Sequence, residues 1–177
     1  MLYMFFAPGF EETEAVTTLD LIRRAELEIQ SVGVGGRTVG GAHGIPVVCD
    51  LADSEISLAD LAGIILPGGM PGTLNLEKSP VVQAAIDHAF SRGLFICAIC
   101  AAPSILGNLG LLKGKRYTCF PGFEQRIVGG EYTGGRVERD DLLITAKGPG
   151  CSIPFALEII RALAGEQIAH KVEINLQ

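Results

Sequence analysis

The chain has 177 residues, 48% of them apolar and 19% charged, which fits one globular domain over residues 1–177 and excludes both a disordered chain and a pair of ordinary domains. A formal net charge of −6 argues against a general nucleic-acid binder, and no apolar run reaches the ~18 residues of a membrane span, so neither nucleic acid nor membrane is expected as a partner. Glycine is dense, 23 residues or about twice the usual share, which predicts many tight turns and close backbone approaches.

Leu2 to Ala7 is a continuous apolar run closed by Pro8-Gly9, the pattern of a strand buried on both faces. Glu11 to Ala25 reads as a helix, with Val16, Leu19 and Ile22 at helical spacing and acids crowding its first turn. A second strand is expected over Leu27 to Val34. Paired glycines then break the chain on both sides of Thr38-Val39, and Ile45 to Cys49 resumes an extended pattern, together a small hairpin or side sheet. Gly63 to Leu66 is a buried strand stopped by Pro67-Gly68-Gly69. Pro80 to Phe90 is helical, Leu94 to Ile99 is a strongly apolar strand, and Ala101 to Leu109 is again helical. Val137 to Ala146 predicts a hairpin turning at Asp140-Asp141. A long helix runs from about Ser152 to Leu163, ended by Gly165, and residues 167–175 form a short tail element. Apolar strands alternating with amphipathic helices predict an α/β fold, a doubly wound and mainly parallel sheet sandwiched by helices, with its site at the carboxyl ends of strands. The five cysteines, an odd number, and an N-terminal segment without the basic start of a signal peptide point to free thiols and a cytoplasmic location.

Three of the expected strand ends carry unusual chemistry. In the segment Leu94 to Pro103 a buried strand runs straight into a helix with Cys100 at the junction, the arrangement of a nucleophile elbow. Ala98, Ala101 and Ala102 are small enough to let the backbone turn there, and a helix N-terminus favours a thiolate. The bland alternative is a buried, inert cysteine. Gly68 and Gly69 end the neighbouring strand, where the amides of Gly69 and Ala101 can together form an oxyanion hole, although a Gly-Gly pair by itself is most often a turn. Glu11 and Glu12 read as complements to the helix dipole. Glu14, one turn further in, can face the strand ends; buried beside a thiol it would keep a proton near neutrality and donate it in a hydrogen bond. The spacing Cys97-Ala98-Ile99-Cys100 is not a redox pair, because three extended residues hold the α-carbons about 10 Å apart. Cys151, at the start of the last long helix, is a second candidate thiol. His43, His88 and His170 show no zinc spacing, and no metal or cofactor is expected.

G-F-E-E-T-E at 9–14, L-I-R-R-A at 21–25, L-P-G-G at 66–69, A-I-C-A-A-P at 98–103, R-V-E-R-D at 136–140 and G-P-G at 148–150, in that order, make the chain resemble the ThiJ/PfpI superfamily and, within it, the Parkinson-disease protein deglycase (DJ-one) branch. The resemblance implies a flavodoxin-like fold, a homodimer, Cys100 as the reactive and oxidisable thiol with Glu14 as its hydrogen-bonded partner, and oxyanion amides from Gly69 and Ala101 beside Gly68. Arg24 matches an arginine lining an anion-binding mouth in the family; a second arginine expected near residue 44 is absent. A family histidine about twenty residues past the elbow is replaced here by Phe120, which argues against a Cys-His peptidase. Similar proteins act without cofactor on reactive dicarbonyls such as methylglyoxal or on glycated groups. The alternatives are a redox-sensing or chaperone role in oxidative stress through oxidation of Cys100, and, more weakly, thiamine-precursor metabolism, which no residue here supports.

Overall fold

The computed structural model describes residues 1–177, and its centre is a seven-stranded sheet. The strands are β1 (Leu2–Phe6), β2 (Ile29–Gly33), β3 (Thr38–Gly40), β4 (Pro46–Val48), β5 (Leu51–Ala52), β6 (Gly63–Leu66), β7 (Phe95–Ile99), β8 (Arg116–Tyr117), β9 (Glu131–Tyr132), β10 (Val137–Asp140) and β11 (Leu143–Ala146). The main sheet runs β10-β11-β7-β6-β1-β2-β5, and every pair in it is parallel except the β10–β11 hairpin. Counting only its five central parallel strands in chain order, the arrangement is 2-1-3-4-5, the flavodoxin-like order. The chain reverses its direction of winding between β1 and β6, so the crevice outside their carboxyl ends is the place where such a sheet builds a site.

The helices are α1 (Glu12–Arg24), α2 (Gly72–Lys78), α3 (Pro80–Ser91), α4 (Pro103–Asn108), α5 (Ser152–Ala164) and α6 (Glu166–Ile174). Side-chain alternation along the strands divides the core in two. Leu2, Met4 and Phe6 of β1 face the layer of α1, α5 and α6, where Ala15, Leu19, Phe155 and Ile159 lie buried. Tyr3 and Phe5 face the opposite layer with Val82, Ile86 and Ile105. Because β1, β6 and β7 are covered on both faces, they read as unbroken apolar runs.

The structure departs from the sequence reading at several points. The helix expected from Ala101 begins at Pro103, after a turn formed by Cys100, Ala101 and Ala102. Proline takes the first helical position, where its missing N–H costs nothing. Helix α2 departs from the sequence reading: its first residue, Gly72, bonds through its N–H to the Gly9 carbonyl, a contact made only in the folded chain. The two-residue strands β5, β8 and β9 are too short for any periodicity to announce them. No helix is long and apolar enough to cross a membrane.

Candidate active site

Three neighbouring strand exits converge. Leaving β1, the chain turns at Pro8 to Glu11 and starts α1. Phe10 is fully buried with its ring 4.9 Å from that of Phe6, which pins the turn to the core. Glu11 caps the helix, its Oε2 accepting from the Glu14 N–H at 2.6 Å. That cap fixes the first turn and points Glu14 inward, where it is completely buried.

Leaving β6, the chain passes through Gly68 and Gly69. The Gly68 N–H donates to Glu14 Oε2 at 2.7 Å, and the Gly68 carbonyl accepts from the Glu11 N–H at 3.0 Å. Gly68 is wedged between the two candidate groups: a β-carbon there would lie 2.6 Å from Cys100 Cβ and 2.8 Å from Glu14 Oε2. Gly69 has φ +89°, and a β-carbon on it would stand 2.7 Å from the Gly9 carbonyl oxygen, so only glycine fits.

Leaving β7, Cys100 adopts φ +65°, one of only three non-glycine residues with positive φ. An L-residue is strained in this region, and the strain is held by two backbone bonds: Cys100 N–H to the Ala146 carbonyl at 2.9 Å, and Phe120 N–H to the Cys100 carbonyl at 2.8 Å. The side chain is thereby turned toward Glu14 and toward the backbone N–H groups of Gly69 and Ala101.

The electrostatics of the pair follow from burial. Desolvation raises the Glu14 carboxyl to about 7, against the pull of the Cys100 side chain and the Gly68 N–H. Burial also pushes the Cys100 thiol up, the charge of an ionised Glu14 pushes it further, and the N–H groups of Gly69 and Ala101 pull it back. Two groups in contact do not both ionise readily, so the pair releases one proton near neutrality and resists losing the second. Glu14 Oε1 is buried and accepts no well-aligned hydrogen bond, although the thiol is close enough to couple to the carboxyl.

The structure therefore brings Cys100, Glu14, Gly68, Gly69 and Ala101 together. Arg24 is elsewhere: it lies ten residues beyond Glu14 on α1, roughly 15 Å along the helix, and pairs with Asp20 at 2.7 Å. Within one chain it does not line this pocket. Phe120 does sit beside Cys100, through its N–H bond, with its ring 44% exposed. Cys151 is buried at the start of α5, and all five cysteines are unpaired.

Sequence reasoning missed the role of Glu12. It is buried and accepts from the His43 N–H at 2.6 Å and from His43 Nδ1 at 2.8 Å, latching the β3–β4 turn to α1. Burial pushes the Glu12 carboxyl up, but the His43 bonds overcome this and hold it below its ordinary value; the same contact raises the His43 imidazole. Glu11, Glu12 and His43 place ligand-type atoms within 4.8 Å of one another, but each carboxylate already serves the backbone or the imidazole.

The DJ-1/PfpI family description matches residues 2–162. Parkinson disease protein 7 homolog of Danio rerio is 33% identical over 180 residues, spanning 98% of this chain and 94% of that protein. Glutathione-independent glyoxalase DJR-1.2 of Caenorhabditis elegans is 33% identical over 159 residues, spanning 89% of this chain and 84% of that one. Among solved structures, oxidized DJ-1 of Toxoplasma gondii superimposes with a TM-score of 0.95 at 30% identity, covering 99% of this chain and 96% of that one.

Proposed function

The chain belongs to the DJ-1/PfpI family, and we propose that it is a cysteine-dependent, cofactor-free enzyme of the glyoxalase or deglycase type, acting on 2-oxoaldehydes or on equivalent glycated groups. The observation that carries this reading is the buried Glu14 carboxyl in contact with the Cys100 thiol, one oxygen tied to Gly68 and the other without a hydrogen-bond partner. The relative named a glutathione-independent glyoxalase supports it.

One shared proton has two possible homes. On sulfur, it can be donated to the buried carboxylate beside the Gly68 N–H, but the Gly69 and Ala101 N–H groups then face an uncharged sulfur. On Glu14 Oε1, it gives that oxygen a partner, and the thiolate faces both the Gly69 and Ala101 N–H groups. The second distribution satisfies more of the site, and it makes Cys100 nucleophilic at neutral pH.

The thiolate adds to the aldehyde carbon, and the carbonyl electron pair moves to oxygen, which takes the proton from Glu14 to give a hemithioacetal and leave Glu14 as a carboxylate. The Gly69 and Ala101 amides serve the charge that develops on that oxygen. Glu14 then removes the proton from the former aldehyde carbon and returns one to the adjacent carbon through an enediol. One carbon is oxidised and its neighbour reduced, so no external oxidant or reductant enters. The product is a thioester of a 2-hydroxy acid; water hydrolyses it and restores the thiol. A peptide bond would also require a proton on its leaving amine, and Phe120 beside Cys100 cannot supply one, so little peptidase activity is expected.

Lactate formation from methylglyoxal, wild type against Cys100→Ala with both shown folded by circular dichroism, tests the reading. Equal rates would overturn it. In that outcome oxidation of Cys100 becomes the leading role, with the same N–H groups and the Glu14 proton receiving the sulfinate oxygens; the Toxoplasma gondii relative has been solved in an oxidized form.

A further inference from the structure

We propose that Thr145 of β11 is a positioning residue for the Cys100 turn: its hydroxyl closes a ring of hydrogen bonds that aims the Ala101 N–H at the sulfur and at the carbonyl oxygen of a bound substrate. The inference rests on the dicarbonyl reading above and adds to it a residue buried away from the substrate.

The Cys100 carbonyl and the Ala101 N–H belong to one peptide unit. In a planar trans peptide these two groups point in opposite directions, so whatever holds the carbonyl also aims the N–H. The Phe120 N–H holds the carbonyl at 2.8 Å, and the Ala146 carbonyl holds the Cys100 N–H at 2.9 Å. One bond fixes the peptide after Cys100 and the other the peptide before it, and together they keep this residue at φ +65°.

The two partners lie on different pieces of chain. Ala146 ends β11, which pairs in parallel with β7 from Leu143 to Ala146. Phe120 sits on the stretch after β8, outside the main sheet. Its hold on Cys100 is only as firm as the link between that stretch and β11. Residues 118–120 make one hydrogen bond to β11: the Thr118 N–H donates to Thr145 Oγ1 at 2.9 Å, and both residues are buried. Thr118 Oγ1 donates in turn to the Gly135 carbonyl at 2.7 Å. The ring therefore runs from Cys100 to Ala146 and Thr145, across to Thr118, along to Phe120 and back to Cys100. Valine at 145 would keep the shape and remove the acceptor, leaving the buried Thr118 N–H unsatisfied. The stretch would shift to find another partner, the Phe120 bond would slacken, and the Cys100–Ala101 peptide would be free to turn.

A turned peptide takes one N–H donor from the sulfur, and the same donor from the oxygen on which charge develops during addition. The thiolate is then harder to form, and the addition is slower. Glu14 faces Cys100 from α1, and Glu11 acts on Glu14. Neither carboxylate bonds to Thr145, so the substitution leaves both in place.

Two measurements separate the positioning role from the reaction itself. Iodoacetamide alkylates Cys100 without turnover, the sulfur–carbon bond forming as iodide leaves. The pH midpoint of that rate, followed on the Cys100 peptide by mass spectrometry, reports the thiolate and does not depend on how much of a sample is folded. Thr145→Val should raise the midpoint by about one pH unit, and Thr145→Ser, which keeps the hydroxyl, should restore the wild-type value. In methylglyoxal turnover, Thr145→Val should lower kcat about tenfold with KM little changed, a smaller loss than the ~10²–10³ of removing an oxyanion donor outright. If Thr145→Val does not fold, the wild type alone decides: the Thr118 and Phe120 amides, followed by hydrogen exchange in NMR spectra, should share one protection factor, because the ring opens as a unit. An unchanged midpoint or an unchanged kcat in Thr145→Val overturns the positioning role and leaves the reaction standing. So does a midpoint shifted equally by Thr145→Ser, or a fast Phe120 amide beside a protected Thr118. A midpoint that moves as stated in a protein without any wild-type turnover overturns the reaction and leaves the positioning of the thiolate standing.

Discussion

The Cys100–Glu14 pair is stable as one charge shared by two groups, and its pH behaviour follows from that. Thiolate absorbance should appear at lower pH in the wild type than in Glu14→Leu, which has no carboxyl to hold the proton, and be missing from Cys100→Ala. A carboxyl held at about 7 instead of its ordinary 4.5 also links to stability. Between those two values the folded protein keeps a proton that the unfolded chain has released, so stability falls as pH rises through the window. Glu14→Gln removes that slope, and urea unfolding of the two proteins at pH 4.5 and 7 should differ by on the order of 3 kcal/mol. Parallel curves would place the Glu14 pKa at its ordinary value. Much of this pair was legible: Cys100 stands at an apolar strand's end among alanines, and Glu14 lies one turn into an acid-rich helix start. The partnership of Glu12 with His43 was not, because it joins residues 31 apart through a turn whose path no local pattern encodes. The position of Arg24 relative to the pocket likewise depends on which way α1 runs from the site.

At the scale of elements, the site is three turns held by backbone bonds, and the central strands and long helices that carry them were plain from apolar runs and helical spacing. What escaped was α2, whose first residue bonds to Gly9, together with the late start of α4 and the two-residue strands. Those features are fixed by tertiary contacts, and residue preference carries little of them. The β3–β4 hairpin is tied to α1 by Glu12, which bonds the backbone of His43 and Ile45, and to the turn before α1 by Ala42 N–H to Phe10 and Gly9 N–H to Gly40. Glu12→Ala should loosen that turn by removing its hydrogen bonds, at a cost of about 1 kcal/mol in denaturant unfolding, since water can reach the freed N–H groups. Hydrogen exchange should rise at residues 41–45 before it rises in β1 or β7. Unchanged exchange there would mean the hairpin is held by other contacts.

For the whole molecule, the layer of α1 and α5 leaves two large apolar side chains half-exposed. Val16 of α1 and Ile153 of α5, on helices packed side by side, are 45% and 47% exposed. A second copy covering this patch is the expected assembly. Light scattering at micromolar concentration should report about twice the 18.7 kDa of the chain, and Val16→Glu should return it to the single mass. A wild type that runs only at 18.7 kDa would refute the dimer. The covalent chemistry of the intact protein is open to a more direct measurement: mass spectrometry of wild type, Cys100→Ala and Glu14→Gln, each incubated with methylglyoxal, quenched with acid and mapped by peptide. The expected result is one oxoaldehyde-derived adduct on the Cys100 peptide, transient in the wild type as 2-hydroxy acid accumulates, persistent in Glu14→Gln, and absent from Cys100→Ala. Product formed without any adduct on Cys100, or an adduct that clears equally fast without the Glu14 carboxyl, would contradict it.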